Sequence, residues 1–413
     1  MSYLNVLKTI ETMLREGRIA SPSYVFSEAE FKERAALVSN AFGDDIGLCF
    51  SIKANPFLPE YLPSEFSYLE VCSPGELEIC KRLGIDPKTI IFSGVNKSQS
   101  DIQDAIDYGV TILTAESSAH WNYILACHKS EPVKVLLRLS DESQFGMDEE
   151  VLLDIVKSHS NTPNNSNIDR GSVQIWGLHY FTGTDKKKAS EIEKEFARLT
   201  KVIGRLKEEA HYSPSHIEYG TGLGVYYFLE SISEARAKEE ALLNDTAKVI
   251  KNFKSEVLDP IGCELAIEMG RFFAAPCGYY ITRIVDAKAN DGVNYIIVDG
   301  GHHQMKYHGQ LQGMKKPNIT HIPEGDAFGR EEAPWSICGS LCTSADVITT
   351  GYRLAEPKIG DYLVFHNTGA YSVTEGTSLF LTRDIPAAYM LTADNDIVIC
   401  RQPQESIQFN CRY

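Results

Sequence analysis

The sequence predicts an α/β chain in two parts, a (β/α)8 barrel followed by a mostly β domain. Eight short apolar runs alternate with helical stretches across the first two thirds, and after Arg271 the alternation stops. The length of 413 residues is itself too great for one small domain. The runs are Gly47–Ile52, Tyr68–Val71, Thr89–Phe92, Val110–Thr114, Val133–Leu139, Val173–Tyr180, His216–Tyr219 and Cys263–Ile267. They are rich in Val, Ile, Leu and aromatics and have the length of buried strands. Helical spacing fills gaps such as Gly75–Leu83, Ser190–His211 and the charged stretch Ser231–Val257. A doubly wound open sheet is the alternative that pattern alone leaves open.

Beyond Arg271, runs such as Gly278–Val285, Tyr295–Val298, Tyr362–Phe365 and Ile397–Cys400 are separated by turns with little helix between them. The expected division is therefore a barrel over 29–270 and a β-rich domain over 271–413, with residues 1–28 returning to the latter. The stretch Ser158–Arg170 is rich in Asn and Pro and almost free of apolar residues, which predicts a surface loop.

Composition narrows the function. Apolar residues make up 43% and charged residues 23%, ordinary for a soluble globular chain. The net charge of -16 comes without any basic block, so neither nucleic acid nor an anionic membrane is an expected partner. An acidic carrier protein would also be repelled at long range unless a local basic patch received it. No apolar run reaches membrane-spanning length, and the N-terminus lacks the apolar core of a signal peptide, which predicts a cytoplasmic protein. The ten cysteines are scattered without a CxxC pair, and His302-His303 has no partner motif. Reduced thiols and no bound metal follow.

The chemistry should lie where barrel strands end. Lys53 follows the first run, Cys72–Glu76 the second and Ser93-Gly94 the third. Glu116 follows the fourth, and Arg138 lies in the fifth. The sixth runs through His179, Phe181 and Thr184; the seventh into Gly220-Thr221-Gly222; the eighth into Glu268, Gly270 and Arg271. A lysine can form an imine with an aldehyde. Gly-rich turns admit phosphate to backbone N–H groups, and Arg adds charge-assisted bonds. A carboxylate keeps a pyridine nitrogen protonated, and an aromatic ring stacks on it. Together these fit a phosphorylated aldehyde cofactor. Singly each has a bland reading: a solvated lysine, an ordinary glycine turn, a Glu268 that merely pairs with Arg271.

At these residues the chain resembles the fold-type III pyridoxal-phosphate decarboxylases, the diaminopimelate, ornithine and arginine decarboxylases, with alanine racemase more distant. The resemblance covers nearly the whole chain. It rests on Lys-Ala-Asn-Pro (53–56), Cys-Ser-Pro-Gly-Glu-Leu (72–77), Gly-Leu-His-Tyr-Phe-Thr-Gly-Thr (177–184), Gly-Thr-Gly (220–222), Glu-Met-Gly-Arg (268–271), Val-Asp-Gly-Gly (298–301), Cys-Gly-Ser-Leu-Cys-Thr (338–343) and Asn-Thr-Gly-Ala-Tyr (367–371). It implies pyridoxal 5'-phosphate as cofactor and a homodimer with shared active sites. Lys53 would form the imine and Glu268 pair with the pyridine nitrogen. Thr184, Gly220, Thr221, Gly222, Gly270, Arg271 and Tyr371 would hold the phosphate. Cys342, supplied by the second subunit, would return a proton to the α-carbon, and Arg138 would meet the substrate.

Two departures bear on specificity. Where the family has His this chain has Phe181, leaving either Phe181 or His179 to stack on the cofactor. Where the family has an acid that binds a distal ammonium this chain has Thr343, so ornithine, lysine and diaminopimelate are poor candidates unless another acid, such as Glu324 or Asp326 in the specificity segment 302–330, replaces it. With Gln-Phe-Gly-Met-Asp (144–148), the pattern is similar to the natural-product and siderophore branch, as in the butirosin pathway, where glutamate is decarboxylated on a carrier protein. The expected activity is decarboxylation of an amino acid or its conjugate. A diaminopimelate- or ornithine-type decarboxylase of primary metabolism, a racemase and a non-catalytic pyridoxal-phosphate regulator are the rivals. The whole-chain resemblance is closer to the decarboxylases than to a racemase, and the intact Lys53, Glu268 and Cys342 argue against the regulator.

Overall fold

The computed structural model describes residues 3–160, 172–229, 231–311, 313–325, 328–377 and 379–412. In chain order the first elements are α1 (Tyr3–Arg15), β1 (Ser23–Ser27), α2 (Glu28–Phe42), β2 (Gly47–Ser51), β3 (Phe66–Val71), α3 (Pro74–Leu83), β4 (Ile90–Phe92), α4 (Gln99–Tyr108), β5 (Ile112–Ala115), α5 (Ser118–Ala126) and β6 (Val133–Leu139). Then come α6 (Glu149–Ser160), β7 (Val173–Phe181), α7 (Ala189–Ala210), β8 (His216–Gly220), α8 (Ile232–Phe253), β9 (Glu264–Met269) and α9 (Arg271–Ala274). The last are β10 (Gly278–Asn290), β11 (Val293–Val298), β12 (Ile319–Ile322), β13 (Glu332–Cys338), β14 (Val347–Ala355), β15 (Tyr362–His366), β16 (Ala387–Leu391), β17 (Ile397–Arg401) and α10 (Ile407–Asn410).

Strands β2 to β9 close in sequence order into a parallel barrel, with β9 returning to β2 through Gly47↔Ala266 and Cys49↔Glu268. The barrel expectation holds and the open sheet falls. Cys49, Ile91, Ile112, Leu136 and Trp176 come from five strands and form one buried cluster, with Tyr68 packed against it. Local signals start and stop the surrounding helices. Ser73 caps α3 through a bond from the Glu76 N–H, Pro74 occupies its first turn, and Gly84 ends it in the left-handed region. Ser98 and Asp101 form a reciprocal capping box on α4.

Elsewhere the chain builds an antiparallel-rich sheet ordered β14-β13-β11-β10-β1-β16-β17, with β15 pairing with β10 and β12. β1 lies between β10 and β16. The apolar stripe Val6, Ile10, Met13 and Leu14 of α1 joins Val25, Tyr279, Ile281, Val364 and Tyr389 in one core. The contacts divide the chain into two compact units. One comprises Met1–Arg34, Val225–Glu239 and Phe273–Tyr413; the other comprises Ala35–Gly224 and Glu240–Phe272.

The sequence runs missed β1, β12, β13, β14 and β16. β13 carries Pro334, β14 mixes buried Ile348, Thr349 and Leu354 with exposed Thr350, Gly351 and Arg353 in no regular alternation, and Ala-Ala-Tyr-Met-Leu of β16 has the composition of a helix. The loop expected at 158–170 lies outside the described residues, except that Ser158–Ser160 end α6.

Candidate active site

Side chains on a strand alternate in direction, so residues two apart share a face. Ser51 on β2, Glu70 on β3, His179 on β7 and Glu268 on β9 meet at one end of the barrel. Lys53 enters from a one-turn 3-10 helix, Ile52–Ala54, directly after β2. Its Nζ lies 2.8 Å from Glu70 Oε2, 3.4 Å from Glu268 Oε1 and 3.7 Å from Cys72 Sγ. Ser51 Oγ donates to Glu268 Oε1 at 2.6 Å, and His179 Nε2 lies 3.0 Å from Glu268 Oε2. Among the described residues Nδ1 of His179 is buried with no hydrogen-bond partner, so the ring's one hydrogen bond there runs between Nε2 and the carboxylate. A cavity of about 420 Å³ opens over this cluster, and Arg138, Phe145 and Phe181 complete its walls.

The electrostatics set the buried carboxyls of Glu268 and Glu218 apart. Burial alone would raise Glu268, but Lys53, His179 and Ser51 hold it well below the usual carboxylate range. Glu218 of β8 is fully buried, and burial followed by the charges of Glu268 and Glu70 pushes it well above that range. Its oxygens lack a well-formed hydrogen bond among the described residues; the Cys49 thiol beside them is a weak donor. Glu218 is therefore a neutral acid and Glu268 an anion. Burial and Glu70 likewise keep the Cys72 thiol protonated, donating to Glu70 Oε1 at 3.0 Å.

Arg138 gives Nη1 to Glu116 Oε1 at 2.7 Å and lies 4.9 Å from the centre of the Phe145 ring. Phe145 is held there because Met147 N–H bonds to Arg138 O and Ser140 N–H to Met147 O, which folds the 144–148 segment back onto β6. Next to this pair Lys97 donates to Thr114 O at 2.8 Å, and burial lowers its ammonium to about 8.

On the other side of the pocket, the loop after β7 crosses the loop after β8. Gly222 has φ +61, and a Cβ there would come within 1.9 Å of Gly183 O. A Cβ on Gly220 would come within 2.5 Å of the Phe181 ring. Only glycine permits either approach. Thr184 is exposed on the first loop, and Gly270 and Arg271 lead into α9. A glycine cradle, a lysine between carboxylates and an aromatic wall fit a phosphorylated pyridine aldehyde.

Cys342, Thr343 and Tyr371 belong to the β-rich unit. Cys342 and Thr343 stand exposed on a turn whose base is the buried Asp346. The carboxylate of Asp346 accepts from His302 N–H at 2.8 Å and Leu341 N–H at 2.9 Å. Thr343 Oγ1 accepts from Ala345 N–H at 3.2 Å. Tyr371 has φ +67 and Asn367 φ +57, two strained non-glycine residues within five positions. Glu324 is paired with Arg283 at 3.2 Å, and Asp326 lies outside the described residues.

Glu70, Ser51 and Glu218 escaped the sequence reading. Their signal was an acid or hydroxyl inside or at the end of an apolar strand run.

Residues 28–275 match the family described as pyridoxal-dependent decarboxylase, pyridoxal binding domain. The L-glutamyl-[BtrI acyl-carrier protein] decarboxylase of Niallia circulans is 28% identical over 89% of this chain and 88% of its own. Protein TabA of Pseudomonas amygdali pv. tabaci is 26% identical over 93% and 89%. The crystal structure of diaminopimelate decarboxylase from M. jannaschii with L-lysine superposes with a TM-score of 0.80, at 21% identity, over 94% of this chain and 91% of that one. That likeness is one of fold.

Proposed function

The chain belongs to the pyridoxal-dependent decarboxylases, and on that premise we propose that it removes the α-carboxylate of an amino acid whose distal end is acidic, uncharged or joined to a larger group. Pyridoxal phosphate is the cofactor, and when bound it supplies an electron sink for the pair left by departing carbon dioxide. The reading is carried by one observation, Lys53 Nζ held 2.8 Å from Glu70 and 3.4 Å from Glu268 at the pocket floor.

Lys53 must shed a proton to act as a nucleophile, and Glu70 is placed to take it. Glu268 would face the cofactor's ring nitrogen. His179 and Ser51 keep it ionised and oriented, so His179 serves Glu268 and Phe181 is left to stack. Thr184, Gly220, Thr221, Gly222, Gly270, Arg271 and Tyr371 would hold the phosphate. Cys342 would return the proton to the α-carbon, and Arg138 would meet the substrate across the Phe145 wall.

Cys342 acts in this scheme from a second copy of the chain. An exposed apolar patch of Leu379, Phe380, Leu381, Ile407 and Phe409 supports a homodimer. Arg383, just beyond it, bonds to Ser340 O at 3.0 Å on the turn that carries Cys342. For the substrate, Thr343 offers a hydroxyl where a distal ammonium would need a carboxylate. Asp346 is consumed by backbone N–H groups and Glu324 by Arg283. A glutamyl group tethered to a carrier or conjugate, as named for the N. circulans relative, meets these conditions.

The test is to reduce the cofactor-loaded enzyme with borohydride and locate the label by mass spectrometry. Carbon dioxide release is then assayed from a panel of free, conjugated and carrier-bound amino acids. The label should fall on Lys53, and the release should come from a substrate without a distal ammonium. A label elsewhere would remove Lys53 from its role.

A further inference from the structure

Glu195 of α7 gathers three donors from two other segments of the barrel. Thr182 Oγ1 gives it 2.6 Å, Lys186 Nζ gives it 2.9 Å, and the Tyr219 hydroxyl makes a third, short bond. Thr182 and Lys186 lie on the loop after β7, and Tyr219 lies on β8. The pair is largely hidden from solvent, with the Lys186 side chain 7% exposed and that of Glu195 13%. The Tyr219 phenol stays protonated, because burial and Glu195 hold it well above its ordinary range.

The same lysine joins the two loops through its backbone. Its N–H bonds to Gly222 O at 2.9 Å, and its carbonyl accepts from Gly224 N–H at 2.9 Å. Its ammonium lies 6.0 Å from the centre of the Phe181 ring and 5.8 Å from that of Tyr219. The knot therefore sits between Phe181, which rests on Gly220, and Gly222, which rests on Gly183.

A buried ion pair is a poor source of stability, since desolvation offsets most of its attraction and apolar residues of like volume serve as well. What it supplies is a unique geometry. Backbone donors to a phosphate and a ring that must stack need such geometry, because small errors of placement are costly.

We propose that Lys186 and Glu195 are positioning residues that fix the spacing of the β7 and β8 loops and the plane of Phe181 for the cofactor. This rests on the pyridoxal-phosphate reading of the pocket. The ordinary alternative is a pair that only stabilises the barrel.

The test is the double variant Lys186→Met/Glu195→Gln, which removes the charges together and leaves neither stranded. Its apoenzyme should melt at or near the wild-type temperature. Its dissociation constant for pyridoxal phosphate, from titration of the apoenzyme, should rise about 10- to 100-fold, the loss expected for a charge-assisted bond. The visible circular dichroism of the bound cofactor should weaken, because the stacking ring is no longer held. Thr182→Val, which removes one neutral donor, should raise the same constant about tenfold or less. It answers the question if the double variant fails to fold. A folded variant with wild-type affinity and wild-type dichroism would overturn the proposal. A wild-type apoenzyme that takes up no pyridoxal phosphate would overturn the cofactor reading and this proposal together.

Discussion

The barrel pocket and the Cys342 turn are built in opposite ways. In the barrel the buried carboxyls are set by their neighbours: Glu268 is held well below the usual carboxylate range, Glu218 is pushed well above it, and Lys53 lies between Glu70 and Glu268. At the turn, Cys342 and Thr343 stand in solvent above a base fixed by Asp346. The contrast separates two tasks. Cofactor chemistry is the same for every substrate and is built into the barrel. In the proposed scheme reprotonation and substrate choice would fall to a surface turn that a second copy and the substrate would cover.

Breaking the barrel side should have the largest effects. Lys53→Ala should abolish both activity and the absorbance band of the protein-bound imine; a borohydride-reducible adduct in this variant would assign the imine to another lysine. Glu268→Gln should keep the cofactor bound and lower kcat about 10²–10⁴-fold, since a neutral amide no longer favours a protonated ring nitrogen. Wild-type turnover would make Glu268 a structural partner of Lys53 and His179.

The turn side is sharpened by Cys342→Ala. Cofactor uptake should be unchanged while reprotonation slows and some aldehyde product forms. Lys53→Ala and Cys342→Ala subunits mixed together should recover part of the activity, and a verified mixed dimer without recovery would show that sites are not shared. Thr343→Asp should have a smaller effect, lowering turnover of the native substrate several-fold by placing a carboxylate where none is needed.

The smallest effect concerns stability. Glu218 is raised, so the folded protein keeps a proton that the unfolded chain loses above about 4.5. The contribution of Glu218 to stability therefore falls as pH rises past that value. Glu218→Gln removes this dependence, and its stability relative to wild type should improve by about 1–3 kcal/mol between pH 4 and pH 7. Denaturant melts at both pH values check this, and a constant difference would mean that Glu218 is ionised in the barrel.

Most of the barrel was legible because strands buried on both faces read as continuous apolar runs, and the motif residues fall at their ends. The β-rich unit was less so, since β14 with its irregular burial and β16 with helix-forming residues carry weak local signals. Lys53, His179, Phe181 and Glu268 were found from position. Glu70 and Glu218 were not, because a charge inside a strand is explained only once the barrel brings Lys53 and Glu268 beside it. The pairing of His179 with Glu268 likewise depends on the register of β7, β8 and β9, which no motif encodes.

The claim that joins both regions is that a complete decarboxylase site serves a substrate without a distal ammonium. It is tested most directly by comparing kcat/KM for carbon dioxide release from carrier-bound or conjugated glutamate with that from free lysine, ornithine and diaminopimelate. The account predicts release from the glutamyl substrates at least tenfold faster than from the diamino acids, the ratio expected if an ammonium is left unpaired. Efficient turnover of a free diamino acid by the unmutated enzyme would contradict it and place the ammonium on an acid other than residue 343.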